Sequence, residues 1–160
     1  MIVVSDTSGL SVLITVGHED LLQKLFHQVL VPFAVERELR QFHQVLPTWV
    51  EVKGVQFVPA IDPWMAGLGE GEREAIVLAE ETRADLLLMD ERKGRRVATR
   101  KGLKVIGILG VLILAKQRGF LPKVQPVLRQ MVEDARFHVS AQVMDAVLKQ
   151  TGERGDGKRD

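Results

Sequence analysis

Carboxylates at the ends of apolar strands and on the buried faces of helices are the residues of this sequence that could do chemistry. The 160-residue chain holds 21 Asp and Glu residues, four His and no Cys. Without cysteine there is no disulfide, no thiolate nucleophile and no Cys-ligated zinc. His18, His27, His43 and His138 lie far apart, with no pair at helix-face spacing, and read as surface or packing residues. Among the acids, Asp6 closes the β-branched run Ile2 to Val4 just after Ser5, and Asp90 closes Leu86 to Met89. Either could cap the helix that follows it. Two aspartates ending parallel strands also converge on one sheet edge.

Two glutamates join them by helix projection at about 100° per residue. After Pro32, the residues Ala34, Val35, Phe42 and Val45 share one face with Glu38 in its middle, while Glu36 lies opposite beside Arg40 and His43. A carboxylate on a buried face is costly unless it is paired or bound to a cation, so the alternative for Glu38 is a core arginine. In the next acidic stretch, Ala75, Ile76, Leu78 and Ala79 define an inward arc that includes Glu72, whereas Glu74 points away. With Gly71 as N-cap, Glu74 would stand at the third helical position, an ordinary capping place. Glu70 precedes the helix as a solvated or supporting acid. Converging acids repel, and oxygen-only donors select a hard cation, Mg²⁺ or Mn²⁺. Such an ion can activate water and neutralise charge on a phosphodiester, whether one ion binds or two.

The elements that must position these residues alternate. Ile2 to Val4, Val29 to Val31, Leu86 to Met89 and Val105 to Ile108 read as strands, with a weaker one over Val50 to Val58. Helices are expected before Gly17, over Leu21 to Phe26, from Pro32 to about Gln44, across LGEGEREAIVLAEETRA, over Glu91 to Lys101, and from about Leu109 to Arg118. Two more are expected near Val124–Asp134 and Ser140–Gln150. Strands alternating with helices and lacking hairpin signals imply an α/β fold with a central parallel sheet covered on both faces. In such sheets the functional crevice lies outside the carboxyl ends of the strands. Residues 1–150 form one domain in this reading, and the polar residues 151–160 form a disordered tail.

Net charge is only +1, but Arg92, Lys93, Arg95, Arg96, Arg100, Lys101 and Lys104 crowd the stretch after Asp90. The plain reading is a solvated helix face. Beside an acidic metal site the same run would hold a nucleic-acid backbone, with Arg92 and Arg96, one turn apart, and Lys93 as the contacts. The N-terminus has no basic region of a secretory signal, and the apolar run Val105 to Ala115 falls short of the about 20 residues that span a bilayer. A cytoplasmic protein without membrane association is expected.

Taken in order, SDTSGL, VPFAVEREL, LGEGEREAIVLA, ADLLLMDERKGRRVA and GLKVIGILGVLILAKQRG resemble a PIN domain, over roughly residues 1–120. They look closest to a little-characterised prokaryotic subgroup of PIN-like proteins. The resemblance implies a three-layer αβα sandwich and Mg²⁺- or Mn²⁺-dependent cleavage of RNA. It makes Asp6 the first acid, Glu38 the second, Glu72 the third and Asp90 the fourth, with Ser8 as a hydroxyl supporting the first. Glu70, Glu74 and Glu91 are outer or substitute acids. The sequence departs from the family twice, with glutamate instead of aspartate at the third acid and arginine at position 92 where a second aspartate is common. The family further implies the toxin of a toxin–antitoxin pair, a small antitoxin protein as partner, and a homodimer.

Other classes fit less well. A haloacid-dehalogenase-type phosphatase needs a second acid where Ser8 stands. GLGEGE lacks the Gly-Lys-Ser/Thr of a P-loop, and no Gly-x-Ser-x-Gly elbow is present. The reading from a different class is a non-catalytic PIN-like module that binds RNA or a protein.

Overall fold

A computed structural model describes residues 1–56 and 63–153. Five short strands, β1 (Val3–Ser5), β2 (Val29–Val31), β3 (Val50–Val52), β4 (Leu86–Leu88) and β5 (Val105–Ile106), form one sheet in the order β3-β2-β1-β4-β5. Every pairing is parallel, with Val4 opposite Leu30 and Ser5 opposite Leu88. The helices are α1 (Thr7–Thr15), α2 (Asp20–Phe26), α3 (Phe33–Phe42), α4 (Glu70–Glu81), α5 (Arg92–Arg100), α6 (Ile108–Gln117), α7 (Gln125–Asp134) and α8 (Ala141–Gln150). A 3-10 turn, Pro63–Met65, precedes α4.

Alternation along the strands builds two cores. Val3 and Leu88 pack with α1, α2, α3, α6, α7 and α8, while Val4, Leu87 and Met89 pack with α4, α5, Met65 and Leu68. Burial on both faces explains why β2 and β4 read as continuous apolar runs, whereas the edge strand β3 carries the exposed Glu51. The result is an α/β fold with helices on both sides of a parallel sheet, as the periodicity predicts. Among the described residues no helix is long and apolar enough to cross a membrane.

Several expected boundaries shift for local reasons. Gly17 ends the first helical stretch with φ +75°, a conformation that suits glycine. Residues 57 and 58 of the weak third strand lie outside the described residues; the observed strand stops at Val52. β5 stops at Ile106, because Gly107 already caps α6 and Ile108 is helical. Phe42 and Val45 do not extend the buried face of α3: they are 74% and 81% exposed, and Leu39 closes the apolar side instead. The expected tail also divides. Residues 154–160 lie outside the described residues, but Glu153 is buried, its carboxylate accepting from the amides of Val124 and Gln125 and from Lys116 Nζ at 2.9, 3.0 and 3.0 Å. The acid thereby ties the chain after α8 to the start of α7.

Candidate active site

The strand order places β1 between β2 and β4, which makes its carboxyl end the point from which neighbouring crossovers diverge. Asp6 is the first residue past β1, and its amide donates to Leu88 O at 3.0 Å, so the ends of β1 and β4 are level. Ser5 Oγ donates to the Asp6 carbonyl at 2.8 Å within the buried chain. Asp6 is only 2% exposed, and its Oδ1 has no hydrogen-bond partner. Although it is the N-cap residue of α1, its side chain makes no well-formed capping bond; the nearby Gly9 amide favours its charged form, against the larger effect of burial.

Asp90 follows β4 and behaves differently. The expected cap onto α5 is made by Glu91, which accepts from the Lys93 amide at 3.3 Å. Asp90 instead caps α6 across the sheet edge: its Oδ1 accepts from the Ile108 amide at 2.9 Å. Its Oδ2 is buried and unpartnered, and lies against Gly9 of α1.

Glu38 is half-buried and meets no core arginine among the described residues. Thr7 donates to its Oε1 at 2.6 Å, and the carboxylate rests on Gly71, where a Cβ would stand 2.5 Å from Oε1. Gly71 is therefore a contact surface inside α4 and not its N-cap. The N-cap is Gly69, which moves the third helical position from Glu74 to Glu72. Glu72 Oε1 accepts from the Gly69 amide at 3.2 Å, while Oε2 is buried, unpartnered and directed at Gly94 of α5. Glu74 does not point away into solvent. It accepts from the Ala34 amide at 3.1 Å and so caps the neighbouring helix α3.

The electrostatics tie these acids into one cluster. Burial, then the charges of Asp90 and Glu72, and to a lesser degree Glu38, push the Asp6 carboxyl well above its ordinary range. Burial also raises Glu72 against the pull of its Gly69 hydrogen bond, with Glu91 and Glu38 adding and Lys93 subtracting. Burial raises Asp90, opposed by the Ile108 amide and the Arg95 guanidinium. Glu70 stands apart in an exposed 3.0 Å ion pair with Arg37.

Three positions were not legible as part of this cluster. Ser8 is exposed and lines an outer groove with Ser11, Val12 and Thr15. The supporting hydroxyl comes one residue earlier, from Thr7, and it serves Glu38. Arg95 flanks Gly107 together with Asp90 Oδ1, each 2.8 Å from where a Cβ would be. Gly9 admits Asp90. Thr7 and Gly9 could have been found from the turn of helix directly after Asp6; Arg95 was hidden inside a uniform basic run. Arg92, Lys93 and Arg96 are exposed on α5.

The donor set suits a hard divalent cation. Asp6 Oδ1, Glu72 Oε2 and Asp90 Oδ2 are buried acceptors with no partner among the described residues, which is costly for a carboxylate unless a cation meets it. Among the described residues no three acidic or His side chains form a closed chelating group.

No curated protein and no solved structure matches the chain. Residues 2–153 match the family DUF3368, described as a PIN domain, with a parallel α/β architecture in accord. That match spans nearly the whole chain, and the protein belongs to the PIN-domain family DUF3368.

Proposed function

We propose that this protein is a Mg²⁺- or Mn²⁺-dependent endoribonuclease that hydrolyses RNA phosphodiester bonds at the crevice formed by Asp6, Glu38, Glu72 and Asp90. One observation carries the reading. Glu72 and Asp90 each have one oxygen held by a backbone amide and the other buried without a partner, beside the unpartnered Oδ1 of Asp6. Backbone donors fix where those carboxylates sit and leave their second oxygens for a cation. A divalent ion bound there supplies water activation and neutralisation of charge on the phosphate.

The chain's own residues do the positioning. Thr7 orients Glu38 by its 2.6 Å hydrogen bond, and the Ile108 amide keeps Asp90 turned toward Gly9. Exposed Arg92, Lys93 and Arg96 on α5 offer phosphate contacts at the rim. Arg95, beside Asp90, adds positive charge at the crevice itself.

Cleavage of an unstructured RNA with Mg²⁺ or Mn²⁺, wild type against Asp6→Asn, tests the proposal. Metal-dependent cleavage by the wild type alone is expected; equal, metal-independent cleavage by both sinks it. The exposed Arg92, Lys93 and Arg96 would equally serve a second reading, a PIN-like module that binds RNA or a protein without cutting. RNA binding with no cleavage in either metal would select it.

The family resemblance extends the proposal to a cytoplasmic toxin held by a small antitoxin whose tail fills the acidic crevice, acting as a homodimer. Growth arrest on expression, relieved by Asp6→Asn and by a protein encoded beside it, is the expected result. No arrest and no adjacent partner gene would remove the toxin role while leaving the nuclease.

A further inference from the structure

The chain entering α4 runs alongside α5 in the opposite direction. Arg100 Cζ lies 5.5 Å from the centre of the Trp64 ring, near the end of α5. Gly67 packs against the end of the Lys93 side chain, and Glu72 reaches Gly94 near the start of α5. Passing from Trp64 to Glu72 is therefore passing along α5 into the acidic crevice. Trp64 is 51% exposed, an unusual place for the largest apolar ring in a chain with few aromatics.

The cations on that route are selected by helix geometry. Gly94, Val97 and Ala98 are the buried side of α5. At about 100° per residue, Lys93, Arg96 and Arg100 fall on the flank facing the Trp64–Gly67 chain, and Arg95 falls on the other, beside Asp90. Lys93 and Arg100 touch that chain, and Arg96 lies between them in sequence on the exposed side of α5. From Lys93 to Arg100 the helix rises about 10 Å. That is the length of roughly three nucleotides at the stacked spacing of about 3.4 Å.

We propose that Trp64 and Arg100 form a stacking platform for one base of a single-stranded RNA, whose backbone follows Arg96 and Lys93 into the Glu72 crevice. This rests on the nuclease reading for its direction, since the acidic end is where the scissile phosphate would lie. An exposed indole and a guanidinium plane both stack on unpaired bases, and such stacking tolerates any base. A duplex presents no free base face here, only phosphates and 2′-hydroxyls. The platform therefore assigns unpaired RNA as substrate and places a base about three nucleotides from the cleaved bond. The plainer role for the pair, steadying the turn before α4, would not distinguish single strands from duplexes.

The chain has two tryptophans, so Trp49→Phe leaves Trp64 as the sole indole reporter. Its fluorescence is followed while an unstructured RNA oligonucleotide, or a duplex of equal length, is added in EDTA to prevent cleavage. Single strands should quench Trp64. Trp64→Ala should weaken single-strand binding by roughly tenfold and leave duplex binding unchanged, with Trp64→Phe restoring most of the loss. Unchanged single-strand affinity in Trp64→Ala overturns the platform, as does an equal loss for duplex that Trp64→Phe fails to rescue. Absence of any RNA binding by the parent overturns it too. Trp64-dependent binding combined with no metal-dependent cleavage keeps the platform and removes the nuclease.

Discussion

Asp90 Oδ2 lies against the α-carbon of Gly9, where a Cβ would stand 2.9 Å from the oxygen. Gly9 sits inside α1, the helix that starts directly after Asp6, so the absence of a side chain there lets the two strand-end aspartates share one crevice. Gly9→Ala should separate site geometry from stability. Alanine is favoured over glycine in a helix by about 1 kcal/mol, which offsets the cost of displacing Asp90. The thermal midpoint is expected within a few degrees of wild type, while RNA cleavage falls by about 10²-fold, the scale of an ångström of misplacement. Wild-type cleavage rates in the alanine variant would show that Asp90 Oδ2 is outside the reaction.

Asp6→Asn should trade function for metal-free stability. Asp6 is buried among acids, and its folded-state pKa is raised by burial and by Asp90 and Glu72. An acid shifted upward is tolerated while protonated and destabilises the fold as pH rises from its ordinary value through the raised one. At pH 7 without divalent ions, Asp6→Asn is therefore expected to melt higher than wild type. Added Mn²⁺ should raise the wild-type midpoint and move the variant much less. Calorimetry with and without Mn²⁺ checks both halves, and a lower metal-free midpoint for Asp6→Asn would contradict the electrostatic account.

Glu72 and Glu74 are separable by charge-removing substitutions. Glu74 needs only an acceptor oxygen to cap α3 through the Ala34 amide. Glu74→Gln keeps that acceptor and should retain cleavage, whereas Glu74→Ala should cost about 1 kcal/mol of stability. Glu72→Gln also keeps an acceptor for Gly69 but loses the charge of the unpartnered Oε2. Cleavage should drop by at least about 10²-fold with little change in melting. The reverse ranking in a metal-dependent cleavage assay would make Glu74 the third acid.

Glu153 predicts an acid-sensitive clamp away from the crevice. Burial works against its ionisation, but the amides of Gln125 and Val124, Lys116 and Thr151 hold its carboxyl down to about 2. Its side chain is 5% exposed but its partner Lys116 is 25% exposed, so solvent screening trims the benefit. An acid shifted downward stabilises the fold above its ordinary pKa of 4.5, and that contribution is lost as pH falls toward about 2. Glu153→Gln should cost roughly 2 kcal/mol at pH 7, with the difference from wild type vanishing near pH 2. Denaturant melts across that range provide the measurement; a pH-independent difference would point to packing alone.

Strand-end aspartates, the apolar runs and the helix faces of Glu38 and Glu72 were all readable from residue order, because they depend on local periodicity and on the rule that parallel sheets open at their carboxyl edge. The same periodicity misled at Phe42 and Val45. A helical face continues in projection after the helix has outrun its neighbours, and those two side chains are exposed. From sequence Gly69 and Gly71 are both acceptable caps of α4, and only the packing of Glu38 of α3 on Gly71 distinguishes them.

Residue order alone thus settled which elements form, the parallel α/β class and the four acids worth considering, since each follows from short-range pattern. Contacts between elements distant in the chain settled everything finer. Asp90 caps α6 and not α5, Glu74 serves α3, Thr7 serves Glu38, and Glu153 belongs to the fold. A carboxylate satisfies whichever amide the packed elements bring within reach, and 18 residues separate Asp90 from Ile108 while 40 separate Ala34 from Glu74. No local period encodes those distances; the close approach of helices through glycine does.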